Sequence, residues 1–92
     1  MAILRLEEVK RETGIRAHST IYDAVRAGLF PKPIHISQRA VGWLSDEIEL
    51  LCSARAAGYG EEQIRDLVSQ MNDDRITRFK MKLKQSTLLS SM

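Results

Sequence analysis

The spacing of apolar positions changes repeatedly along the chain, and each change predicts an element. Residues 2–6 are apolar apart from one arginine, an extended lead-in. Leu6, Val9 and Thr13 then share one face of a short helix that Gly14 ends. Glu7 and Glu8 in its first turn, with Lys10 and Arg11 near its end, follow the order that suits a helix dipole. A second helix starts at His18 or Ser19 and runs to about Ala27, with Gly28 placed for a left-handed cap. Its inward stripe is Ile21, Ala24 and Val25; Ser19, Asp23 and Arg26 lie opposite, and Tyr22 is on the flank.

Beyond Gly28 the period shortens. Pro31 and Pro33 forbid helix and fix an extended path. Ile34 to Ile36 and Val41 to Trp43 alternate about the polar group Ser37-Gln38-Arg39. This predicts a two-stranded hairpin with Ile34, Ile36, Val41 and Trp43 on its core side. Such a hairpin is marginal alone, so it is expected to pack on the helices.

Ser45 is a good N-cap for a third helix to about Ala57, with Asp46 and Glu47 in its first turn and Ile48, Leu51, Cys52 and Ala54 as its stripe. After Gly58-Tyr59-Gly60 a fourth helix carries Ile64, Leu67, Val68 and Met71 at i, i+3, i+4, i+7. That seam either closes the core or meets a second copy of the chain. Asn72-Asp73-Asp74 predicts a break. The remainder fits two patterns: Phe79 to Lys84 alternates like a strand, while Ile76, Phe79 and Leu83 also suit a helix. The expected organisation is one domain over residues 1–74, with a core of 3–57 and an added helix over 60–72, then a basic tail over 75–92.

Charge sharpens this picture. The total is only +2, but residues 1–43 hold seven Lys/Arg against four Asp/Glu, and residues 44–79 hold four against eight. Lys80, Lys82 and Lys84 restore the balance. The basic excess therefore falls on the first two helices and the hairpin. A single cysteine, Cys52, excludes an internal disulfide and a cysteine-based zinc site, and its helical stripe makes it a small core residue. No apolar run approaches the roughly 20 residues of a membrane span, and no secretory leader is recognisable. The expected setting is cytoplasmic, with no membrane partner.

No phosphate loop, metal-ligand spacing or nucleophile arrangement is present, so neither an enzyme nor a cofactor is expected. His18 and His35 have no evident ligand partners, so no metal site is expected. Trp43 reads as core. Two short helices joined by a glycine-containing turn, followed by a hairpin tipped with Arg39, give the geometry of a duplex-DNA reader. The candidate contacts are Arg16, His18, Ser19, Thr20, Tyr22, Arg26, Lys32, Gln38 and Arg39. Arg26 suits a guanine edge or a phosphate, Ser19 and Thr20 suit phosphates, and the Tyr22 hydroxyl suits a phosphate while its ring joins the core. Arg39, with Gln38 and Lys32 nearby, suits the backbone or a narrow minor groove.

Leu4-Arg5-Leu6-Glu7-Glu8-Val9, Thr13-Gly14, Ser19-Thr20-Ile21-Tyr22, Gly28-Leu29-Phe30-Pro31-Lys32-Pro33 and Arg39-Ala40-Val41-Gly42-Trp43, followed by Ser45-Asp46-Glu47-Ile48, resemble the AlpA-like family of prophage regulators. The pattern is similar more broadly to phage excisionases with a MerR-like winged helix, and it covers about residues 3 to 57. Ala17 stands where a capping serine is common, and His18 where an arginine is common. The resemblance implies an α+β, mainly helical fold: a winged helix-turn-helix with a two-stranded wing and an extra C-terminal helix. It implies a double-stranded DNA partner on an integrated mobile element and a role as excisionase, as regulator of the integrase gene, or as both. Integrase and RNA polymerase are the protein partners it suggests, and the seam or the tail offers a homo-oligomer contact. The rival expectation is a protein-interaction module that uses its C-terminal helices and has no direct DNA role.

Overall fold

A computed structural model describes residues 2–90, with side-chain surroundings for residues 2–86. The order is β1 (Ile3–Arg5), α1 (Leu6–Thr13), α2 (His18–Arg26), β2 (Ile34–Ser37), β3 (Ala40–Leu44), α3 (Ser45–Ala56) and α4 (Glu61–Ser90). The class is α+β, mainly helical, with a small antiparallel sheet in the order β1-β3-β2.

The lead-in is a strand. β1 pairs with β3 through Ile3↔Leu44, Leu4↔Trp43 and Arg5↔Gly42. Ala2 extends the pairing, because its N–H donates to Ser45 Oγ (2.9 Å) and its carbonyl accepts from Ser45 N–H (2.8 Å). Ser45 is therefore the first residue of α3, held by the sheet, and the N-cap is Leu44. α1 opens with the Arg5 N–H on Glu8 Oε1 and closes at Gly14, whose φ of 75° only glycine adopts cheaply.

The hairpin differs from its predicted facing. Its loop is the two residues Gln38 and Arg39, because Ser37 pairs with Ala40. A bulge falls between His35 and Ser37, and Ile34 pairs with Gly42. Directly opposed residues share a face, so Ile34 lies on the side of Gly42 and Leu44, away from Trp43. Ile36 is exposed. Ile34 and Ile36 thus do not join Trp43, whose neighbour across the sheet is Leu4.

Trp43 is fully buried. Its indole N–H donates to the Pro31 carbonyl at 2.9 Å, and the Phe30 ring meets it edge-on at 6.1 Å. Around this pair close Val9, Ile21, Ile48 and Leu51, with Ile64, Val68 and Met71 from α4. Ile64, Val68 and Met71 are spent on their own core and so are not open to a second copy; Leu67 is half-buried.

α4 passes through Asn72, Asp73 and Asp74 without interruption and continues to Ser90. Asn and Asp cost only a fraction of about 1 kcal/mol in a helix interior, and tertiary bonds outweigh that. Asn72 Oδ1 accepts from Lys32 N–H, and Asp74 accepts from Gln70 one turn back. Arg75 forms an ion pair with buried Glu47 on α3 and donates to the Lys32 carbonyl. No helix of the described residues is long and apolar enough to cross a membrane.

Candidate nucleic-acid interface

α2 is held from one side only. Ile21 is fully buried, Ala24 and Val25 are half-buried, and they draw the helix onto the Trp43 core. At 3.6 residues per turn the opposite side must then face water. His18, Ser19, Thr20, Asp23 and Arg26 are all exposed there, and Arg16 is exposed in the preceding turn. The helix starts at His18 with Ala17 as an N-cap that offers no side-chain acceptor. Its first-turn N–H groups lack an internal partner, a feature that favours an anion at this end.

The candidates differ in how they are held. Tyr22 is half-buried, with its ring centroid 6.3 Å from that of Trp43, so its body belongs to the core. His18 Nε2 lies 3.5 Å from Glu7 Oε1, which links the start of α2 to α1. Arg26 pairs with Asp23 one turn back, both side chains largely in water. Gln38 and Arg39 form the hairpin loop and are exposed. Lys32 stands apart: both of its backbone polar groups are bound by α4, its N–H by Asn72 and its carbonyl by Arg75. It marks the junction with α4 and not the hairpin tip.

The bonds from α3 and α4 to this region land beyond the end of α2. Arg65 Nε donates to the Ala27 carbonyl at 3.0 Å, and Arg55 Nη2 to the Leu29 carbonyl at 3.4 Å. They satisfy carbonyls that follow the helix and leave its outer side chains open. Sequence reasoning missed this strapping and the burial of Glu47. One signal was present: Arg75 continues the Ile64, Val68, Met71 seam one turn further, so a cation was due at the inner face.

Residues 2–65 match the profile of the family described as prophage CP4-57 regulatory protein (AlpA). The chain belongs to this AlpA family. The match takes in the sheet, α1, α2, α3 and the first turn of α4, so the open side of α2 and the hairpin loop lie inside the shared region, while Arg75 and the distal half of α4 lie beyond it. The chain is also similar to the "Uncharacterized protein ORF88" of Enterobacteria phage P4, 36% identical over 55 residues, or 60% of this chain. The chain spans 61% of that relative's length. No solved structure matches. The family is thus one described as prophage regulatory. Among its described residues no group of three or more His, Cys, Asp or Glu side chains is placed to hold a metal ion.

Proposed function

We propose that this AlpA-family protein binds specific sites on the duplex DNA of an integrated mobile element. In this reading α1, the turn at Gly14 and α2 act as a helix-turn-helix, and β2 and β3 as its wing. α2 enters the major groove with Arg26, Ser19, Thr20 and the Tyr22 hydroxyl. Arg16 and His18 approach the backbone at the helix start, and Arg39 with Gln38 reaches the neighbouring minor groove or phosphates. The observation that carries the reading is the open polar side of α2, exposed from His18 to Arg26 opposite a fully buried Ile21, within the region shared with prophage regulators. Bound DNA then serves excision, control of the integrase gene, or both.

The test is a gel-shift and footprint titration on the host element's attachment site and integrase promoter. Saturable binding that weakens steeply with salt is expected, and Arg26→Ala should weaken the specific complex by about 1–3 kcal/mol. Several adjacent footprints with bending at the attachment site favour excision; one footprint beside the promoter favours transcriptional control. Absent or salt-insensitive binding on both fragments rejects the reading.

A further inference from the structure

The sheet has a second face, which the core does not use. Ile34 and Leu44 lie on it together with Ile3 and Ile36, both of which are exposed. The distal half of α4 passes beside this face. Ile34, Leu44 and Phe79, with the aliphatic parts of Arg75, Arg78 and Lys82, line an open groove of about 380 Å³. Phe79 is 64% exposed and Ile76 59%, large values for side chains of this size. At 100° per residue Phe79, Leu83 and Ile76 fall within an arc of about 60°, with Lys82 on one side and Lys80 on the other. An apolar groove therefore opens onto an apolar stripe flanked by cations.

Charge decides what fits. From Arg75 to Lys84 there are five cations and no carboxylate. Arg75 and Arg78 are ion-paired with Glu47 and Asp46, whereas Lys80, Lys82 and Lys84 have no carboxylate partner among the described residues. A second copy seated on this surface would bring six such lysines together, which opposes it. Duplex DNA would answer the lysines but leave phosphates and water against the apolar walls. A flat anionic bilayer would meet the stripe and miss the recess between helix and sheet. An amphipathic helix with carboxylates along its edges answers both features.

We propose that the groove between the outer sheet face and the distal half of α4 docks an acidic amphipathic helix of a partner protein. Its apolar side chains fill the space between Ile34, Leu44 and Phe79, and its carboxylates meet Lys80 and Lys82. The surface is separate from the open side of α2, so this inference does not depend on DNA binding.

The test titrates the full chain against a fluorescein-labelled peptide of about 16 residues, long enough to form helix, with leucines at i, i+3, i+4, i+7 and glutamates elsewhere. A saturable rise in anisotropy at low salt is expected, with affinity at least about tenfold weaker for Phe79→Glu and for Lys82→Glu. A matched peptide with lysines in place of glutamates should not bind. No saturation by millimolar peptide, equal binding by both variants, or equal binding of the lysine peptide overturns the proposal. So does a wild-type dimer in light scattering that Phe79→Glu makes monomeric, or a tenfold loss of duplex-DNA affinity in Phe79→Glu. Circular dichroism checks that the variants fold; should Phe79→Glu fail, Lys82→Glu on the helix surface decides alone.

Discussion

Arg75 on α4 holds both carboxylate oxygens of Glu47 on α3: Nη2 is 2.6 Å from Oε1, and Nε is 3.0 Å from Oε2. Glu47 is 4% exposed, while the Arg75 side chain keeps 20% of its surface in water and also donates to the Lys32 carbonyl. The two partners are therefore unequal. Arg75→Ala strands a buried carboxylate and should cost about 3 kcal/mol, whereas in Glu47→Ala the guanidinium can turn to water, at about 1–2 kcal/mol. Urea unfolding followed by circular dichroism measures both. The double replacement Glu47→Leu, Arg75→Met should recover most of the larger loss.

Gly42 is needed for room. A Cβ there would sit 2.5 Å from Ile3 Cγ2 and 2.9 Å from the Leu4 carbonyl oxygen. The isoleucine can rotate; the backbone oxygen cannot without moving β1. Gly42→Ala should destabilise by about 1–3 kcal/mol, and hydrogen exchange should show the β1 amides losing protection before those of α3.

Asp23 and Arg26 form an exposed pair, so breaking it should alter stability by less than about 0.5 kcal/mol. Its effect on the proposed DNA complex should be larger. Asp23→Ala removes a negative charge beside phosphates and releases Arg26, so affinity for non-specific duplex should rise while discrimination between sites falls. Arg39→Ala should lower the slope of log affinity against log salt by about 1, with little change in sequence preference. Titrations at several salt concentrations on specific and scrambled duplexes test both.

Trp43→Phe keeps an aromatic ring but removes the donor to the Pro31 carbonyl. A buried carbonyl loses its partner and a small cavity opens, so a loss of about 2–3 kcal/mol is expected in thermal or urea unfolding. A loss below about 0.5 kcal/mol would mean that water replaces the indole N–H.

Much of this architecture was legible in the residues. The ends of α1 and α2 followed from Gly14 and Gly28, and the side of α2 bearing Arg26 followed from the spacing of Ile21, Ala24 and Val25. The errors have physical causes. Three residues are too few for a strand to show its period, so β1 read as a lead-in. The register that sets Ile34 opposite Gly42, which one strand's own period does not reveal, puts Ile34 and Ile36 outside the core that simple alternation assigned to them. Asn72-Asp73-Asp74 is a break by local preference, but the bonds made by Asn72 and Arg75 arrive from forty or so positions away and carry α4 through. How α2 would sit against the proposed duplex is a property of two molecules, and one chain's residues specify only its half.

The tilted contact of Tyr22 with Trp43, 6.3 Å between ring centroids, has a practical corollary. The only indole of the protein is a built-in fluorophore, and one of its walls is a side chain on the flank of α2. Anything that seats along that helix and shifts the phenol ring alters the emission of an unlabelled sample, so occupancy can be followed optically without attaching a dye.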